Sequence, residues 1–269
     1  MDQGASTSDD DVQRLWDGNA DVWARHVRAG YDSFRDLYHH PAFFALTGDL
    51  SGLDVLDAGC GEGRTARILA RQGARMTGID LSTRMIELAR AEERREPLGV
   101  RYEVGSVAEM PTFADAGFDA VISVMALMDC PDYQGALREF ARVLRPGGML
   151  AYVICHPCFM HGSLGWEERD GQEVAIRVAN YLQEPITQER WAFAAAPDRA
   201  EVKPFDVVYF NRTLSSYLNP LPRLGFRIEE ISEPAPSEEA CQVRPGLRKY
   251  QGIPHVLAVR AQREEPVTG

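Results

Sequence analysis

From Leu53 to Ile154 short apolar runs alternate with amphipathic stretches, and this pattern restricts the fold more than any other feature of the chain. LDVLDAG leads into TARILARQG, and ARMTGID into TRMIELARAEERRE. Continuous apolar runs suit strands buried on both faces, and the segments between them carry apolar residues at helical spacing. Parallel strands joined by helices are therefore predicted. Gly73 stands where the first such helix should end, and Ser82 where a hydroxyl can cap the second. Further strands are predicted at 100–104, 119–124 and 149–154. Between the last two, DYQGALREFARVL reads as a helix stopped by Arg145-Pro146-Gly147-Gly148.

The flanks follow other patterns. Residues 1–10 are expected to form a disordered tail, and 11–28 and 31–46 to form helices ahead of the first strand. After Ile154 the periodicity loosens over an aromatic-rich stretch containing Trp166, Tyr181, Trp191, Phe193, Tyr209 and Phe210. That length is unusual for a plain connection and predicts an insertion over 156–211 that covers a substrate. A helix from Arg212 to Leu224 should then lead through Gly225 to two closing strands, FRIEEIS and HVLAVRAQ. The expected organisation is a helical extension over 1–50, one domain over 51–262 and a flexible tail over 263–269.

The chemistry concentrates in VLDAGCGEGRTARIL, residues 55–69. An apolar strand ends at Asp57, glycines follow at 59, 61 and 63, and a helix begins at once. Such a turn is either tight geometry alone or a cradle where a ligand lies against bare backbone. The next strand ends in Asp80, seventeen residues beyond Gly63, where a carboxylate can accept both hydroxyls of a ribose. A pyrophosphate cofactor such as NAD favours G-x-G-x-x-G on a helix N-terminus. Here Asp57 precedes the turn and Glu62 sits inside it, so the local charge opposes a pyrophosphate and suits a cation.

On these residues the chain resembles the class I S-adenosylmethionine (SAM)-dependent methyltransferases, in their small-molecule branch. LDVLDAGCGEGRTA looks like the family's first motif, GIDLS its second, GSVAEMP its third and FDAVISVMALMDC its fourth, with REFARVLRPGGML as the following helix-turn-strand. The resemblance spans about Trp23 to Val259. It implies an α/β, Rossmann-like sheet of seven strands, mostly parallel with an antiparallel C-terminal strand and helices on both faces. The implied cofactor is SAM, with S-adenosylhomocysteine as product.

By the same resemblance Asp57, Gly59, Cys60 and Gly61 line the methionine and ribose portion, and Asp80, Leu81 and Met85 hold the ribose and adenine. Ser106 and Val107 flank the adenine, while Ser123 and Val124 close over the sulfonium. Ser106 stands where the third motif usually has an acidic residue. Arg35, with Tyr31 beside it, either meets the methionine carboxylate or is a solvated helix residue.

The acceptor should sit outside the C-terminal ends of the fourth and fifth strands. His156 follows the fifth strand directly and serves either as a general base or as a structural histidine orienting its loop. His161, Asp129 and Tyr209 are secondary candidates by position. Cys155-His156-Pro157-Cys158 contains a C-x-x-C, but no second ligand pair stands at zinc-like spacing, so no metal is expected.

Composition narrows the partner. Across 269 residues the formal net charge is -11, which works against nucleic acid, since that affinity rests on clustered Lys and Arg. A small-molecule acceptor is expected, with a homo-oligomer possible. Five cysteines, an odd number, do not read as a disulfide framework, and no apolar run reaches the ~18 residues of a membrane span. The acidic N-terminus lacks the regions of a secretory leader, so a cytoplasmic location is expected. Two other readings share the fold: SAM serving a different reaction such as a cyclisation, and a non-catalytic partner subunit.

Overall fold

The computed structural model describes residues 7–160 and 163–265. Helix α1 spans Asp9–Arg28, a π-helical turn covers Arg35–His39, and α2 follows at His40–Thr47. Strand β1 (Asp54–Ala58), helix α3 (Arg64–Arg71), strand β2 (Arg75–Asp80), helix α4 (Thr83–Arg95) and strand β3 (Arg101–Val104) form the first half of the alternation. Strand β4 (Phe118–Val124), helix α5 (Tyr133–Val143) and strand β5 (Leu144–Cys155) form the second. Two ribbons come next: β6 (Ser163–Arg169) with β7 (Gln172–Val178), then β8 (Ile186–Trp191) with β9 (Phe205–Phe210). Helices α6 (Leu214–Leu218) and α7 (Pro220–Arg223), strand β10 (Phe226–Ser232), helix α8 (Glu238–Val243) and strand β11 (Val256–Arg263) complete the chain. Among the described residues, no helix is long and apolar enough to cross a membrane.

The seven-stranded sheet runs β10-β11-β5-β4-β1-β2-β3. Strands β5, β4, β1, β2 and β3 pair in parallel, and β11 is antiparallel to both β5 and β10, as expected. Alternation along each strand divides the core. Val55, Ile122, Val153 and Ala258 face one side, where they meet Leu46, Leu69 and Ile86. Leu56, Val121, Tyr152 and Val259 face the other, against Leu137, Phe140 and Leu221. Each fully buried aliphatic or Phe side chain of these layers contributes about 2 kcal/mol by leaving water.

Four boundaries differ from the sequence reading. Helix α1 begins within the expected tail because Ser8 and Asp11 form a capping box: Ser8 N–H donates to Asp11 Oδ2 at 3.0 Å and Asp11 N–H to Ser8 Oγ at 3.3 Å. Arg145-Pro146-Gly147-Gly148 ends α5, yet β5 already starts at Leu144, and the four residues form an irregularity in its pairing with β4. The helix expected over 212–224 is split, because Pro220 lacks the N–H needed to continue α6 and instead opens α7. The loosely patterned insertion contains two antiparallel ribbons, and α8 with a 3-10 segment at Pro245–Gln251 fills the connection between the closing strands.

Helix α1 lies against β9 and α4. Asn19, buried, donates from Nδ2 to the Asp206 carbonyl at 2.8 Å, and its Oδ1 accepts from the Asp206 N–H at 3.2 Å. One side chain thereby replaces a strand neighbour for β9. Replacing Asn19 with Ala leaves both backbone groups buried without partners, and stability should fall by about 1–3 kcal/mol. Thermal denaturation measures the loss, and hydrogen exchange should accelerate across 186–191 and 205–210; unchanged exchange there would show that the ribbon does not depend on Asn19.

Candidate active site

Strand β1 sits at the point where the sheet order reverses: the chain proceeds to β2 and β3 on one side and to β4 and β5 on the other. Loops leaving the C-terminal ends of neighbouring strands part there and leave a crevice. Its floor is the glycine turn. Gly59 N–H donates to the Ile79 carbonyl at 2.8 Å, and Gly59 adopts φ +80°, where a Cβ would also overlap the methyl group of Ala126. Only glycine lets the turn pass so close to the loop after β4. Gly61 N–H donates to Asp80 Oδ2 at 2.8 Å, and Ser82 N–H to Asp80 Oδ1 at 2.9 Å. Asp80 therefore reaches the crevice at a fixed angle with lone pairs to spare.

The crevice is lined by Arg35, Asp57, Gly59, Cys60, Gly61, Asp80, Leu81, Met85, Ser106, Val107 and Val124, which brings together most of the residues singled out in the sequence. Two others lie elsewhere. Ser123 is fully buried and donates from Oγ to the Ala58 carbonyl at 2.7 Å, so it locks β4 to the end of β1 and does not face the crevice. Tyr31 packs edge-on to His26 with ring centroids 5.6 Å apart, away from the lining.

The electrostatics of the crevice are acidic. Burial pushes the Asp57 carboxyl up to about 7, reinforced by Asp80 and opposed by Arg35. Its Oδ2 is buried without a hydrogen-bond partner. Burial likewise raises Asp80 to about 6, against the two backbone N–H groups that favour its charged form. An orphaned buried carboxylate oxygen beside a second carboxyl calls for a donor or a positive charge, and an amino group or sulfonium meets that need where a pyrophosphate would not.

A second cavity of about 720 Å3 adjoins the crevice, the size of a site for a drug-sized molecule. Trp16, Trp23, Arg35, Met125 and Asp129 line both spaces and form the passage between them. Arg35 is neither free nor solvated: its Nε lies 3.0 Å from Asp32 Oδ2, and its guanidinium stands 5.6 Å from the Trp23 ring centroid. Met125 holds φ +56°, a backbone conformation rare outside glycine and asparagine, with its N–H on the Val153 carbonyl at 2.8 Å. Tyr209 and Asp129 both face the larger cavity.

His156 does not reach either space. Its Nδ1 accepts the Cys158 N–H at 3.2 Å, its Nε2 lies 2.6 Å from Glu233 Oε1, and only 2 % of it is exposed. With one nitrogen accepting and the other donating, no lone pair remains to take a proton, and burial lowers its basicity despite Glu233. The general-base reading is thus corrected to a structural one. His161 lies outside the described residues. Of the C-x-x-C pair, Cys155 does not favour thiolate chemistry either, since burial raises it to about 12.

Sequence reasoning missed Trp16 and Trp23. Their spacing on α1 marks them only as one apolar helix face, and nothing local shows that this face roofs a crevice built from residues 57–131.

Residues 56–152 match a family model described as a methyltransferase domain. A SAM-dependent methyltransferase from Mesorhizobium loti, solved by crystallography, is similar at 29% identity and a TM-score of 0.67, covering 83% of this chain and 96% of its own. Residues 56–152 thus form a methyltransferase domain, and the chain shares the fold of solved SAM-dependent methyltransferases. Demethylmenaquinone methyltransferase of Tropheryma whipplei is 39% identical over 127 residues, 46% of this chain and 51% of its own length. Malonyl-[acyl-carrier protein] O-methyltransferase of Pectobacterium atrosepticum is 34% identical over 146 residues, 53% and 56% respectively. The chain thus spans about half the length of the curated relatives it matches.

The Asp57 carboxyl yields a pH test. Its folded pKa lies near 7 against an ordinary 3.8, so between those values the folded state keeps a proton that the unfolded chain has released. The group's contribution to stability therefore falls as pH rises through that window. Asp57→Asn removes the effect, and its melting temperature relative to wild type should climb from about pH 4 to about pH 7. A constant offset would mean that Asp57 ionises normally in the folded state.

Proposed function

We propose that this protein binds SAM in the crevice and transfers its methyl group to a small-molecule acceptor held in the adjoining chamber. The observation that carries the reading is the union of the two spaces at Trp16, Trp23, Arg35, Met125 and Asp129, which sets an acceptor beside a cofactor on the acidic turn.

Asp80 accepts the ribose hydroxyls, and Leu81, Met85 and Val107 supply apolar walls for the adenine, with Ser106 at its edge. Asp57 receives the amino end through its unpartnered Oδ2, and Arg35 supplies a guanidinium for the carboxylate end. Gly59, Cys60 and Gly61 let the ligand lie against backbone, and Val124 borders it from β4. When bound, SAM supplies a methyl group already activated on a sulfonium. What remains for the protein is to align the acceptor and exclude water. Helix α1 and the β8–β9 ribbon do both, since Trp16 and Trp23 of the helix and Trp191 and Phe193 of the insertion close over the chamber. On this reading residues 9–47 and the insertion are the cover of one domain. The acceptor is a small molecule and not a nucleic acid.

Calorimetric titration with SAM, S-adenosylhomocysteine and NAD tests the reading. SAM and S-adenosylhomocysteine should each saturate one site, NAD should not bind, and Asp80→Ala should weaken binding about a hundredfold through loss of charge-assisted hydrogen bonds. Turnover with a competent acceptor should release one S-adenosylhomocysteine per methylated product. Saturation by NAD, or unaltered SAM affinity in Asp80→Ala, would reject it.

A further inference from the structure

The chamber contains two carboxyl groups with no cation beside them. Asp129, only 7% exposed, accepts the Trp16 indole N–H on Oδ2 at 3.2 Å, while its Oδ1 is buried and has no partner. Glu189, on the β8–β9 ribbon, lines the same chamber and is itself partly exposed to solvent. On the β8–β9 ribbon, directly paired residues share a face, so Glu189 and Val207 point the same way as Trp191 and Phe205. Among the described residues the Glu189 carboxylate makes neither a hydrogen bond nor an ion pair. Burial pushes both carboxyls above their ordinary range, Asp129 far above.

The other ionisable groups of the chamber are already occupied or neutral. Arg35 is matched by Asp32. His39 and His255 stack with their rings 5° apart and share a hydrogen bond of 3.1 Å, and burial holds His255 down to about 4 and His39 well below its ordinary value. Lys249, beside Tyr250 at the edge, pairs with Glu173 at 2.7 Å. What the chamber offers an occupant is therefore two unmatched carboxyls within walls of Trp16, Trp23, Trp191, Phe193, Tyr209 and Tyr250.

Each class of occupant meets this differently. A carboxylate or phosphate adds like charge to a low-dielectric space. A neutral molecule leaves both carboxyls without a counter-charge. A protonated amine supplies N–H donors and a counter-charge to Asp129 and Glu189, and indole and phenol faces attract it as well. We infer that the chamber takes an acceptor bearing a basic nitrogen, held between Asp129 and Glu189 against the aromatic walls. Because Asp129 also lines the crevice, the nitrogen-bearing end is the end presented to the cofactor. This assignment rests on the chamber being the acceptor site of the proposed methyl transfer.

Trp16, Trp23 and Trp191 line the chamber, so intrinsic fluorescence reports its occupancy. Amines, alcohols and carboxylates of matched phenylethyl, naphthylmethyl and indolylethyl skeletons are titrated near neutral pH into protein saturated with S-adenosylhomocysteine. Within each skeleton the amine should bind about tenfold tighter than the alcohol, with the carboxylate weakest. Glu189→Gln and Asp129→Asn should each shrink the amine preference, while retained S-adenosylhomocysteine binding certifies that the variants fold. Alcohols or carboxylates matching the amines, no amine binding at millimolar concentration, or a preference untouched by both substitutions would overturn the inference. Failure of S-adenosylhomocysteine to bind wild type would instead sink the methyl-transfer reading, and the amine comparison would then be read on the unliganded protein.

Discussion

Asp80 is the joint on which the site is assembled. Its two oxygens accept the Gly61 and Ser82 N–H groups and so clamp the first and second strand-to-helix turns together. Ser82 extends the joint: its Oγ accepts the Met85 N–H at 3.1 Å to cap α4, and donates to Asp17 Oδ1 at 2.6 Å. Asp17 belongs to α1, and it also accepts the Arg84 N–H at 3.0 Å. A short chain of hydrogen bonds therefore runs from the floor of the crevice to its roof, and Asn19, two residues along the same helix, continues it into the β8–β9 ribbon. Floor, roof and chamber wall share one set of supports.

The cost of this arrangement is electrostatic. Asp57 and Asp129 are buried, each under the influence of the partly buried Asp80, and desolvation raises all three. In a folded protein such groups are stabilising only where they are paired, and here Asp57 and Asp129 each keep an oxygen without a partner. The charged rim shows the contrast. Arg67, buried in α3, is held by Glu93 at 2.6 Å and Glu96 at 2.9 Å, and the Arg145 guanidinium meets Asp119 at 2.5 Å. The carboxylates around Arg67 and Arg145 are matched, while Asp57 and Asp129 of the site each keep an unpartnered oxygen, which is the pattern of a site built to be completed by a ligand.

The roof is held by aromatic packing as well as hydrogen bonds. Trp23 makes edge contacts with Trp16, Trp191 and Phe205 at centroid separations of 5.0, 5.6 and 5.2 Å. These geometries favour ring edges against ring faces and add to burial. They unite a helix from the start of the chain with a ribbon from the insertion. His26, fully buried beneath them, lies 2.8 Å from Asp198 in the same insertion.

The sequence by itself determined the seven strands, their order of appearance and the acidic glycine turn, because those depend on local periodicity and on backbone angles open to few residue types. It placed Asp57, Gly59, Cys60, Gly61, Asp80 and Leu81 at one ligand because a strand-turn-helix unit fixes its own geometry. Tertiary structure alone decided the fate of residues whose partners are distant. His156 is tied to Glu233, Ser123 to Ala58 and Arg35 to Asp32 beneath Trp23, and only the first two are thereby removed from the site. The acceptor chamber was beyond local reading for the same reason. Its walls come from α1, from the loop after β4, from the insertion and from the segment before β11. Only folding brings these together, since burial of their aromatic surface depends on shape and on what lies opposite rather than on neighbours in the chain.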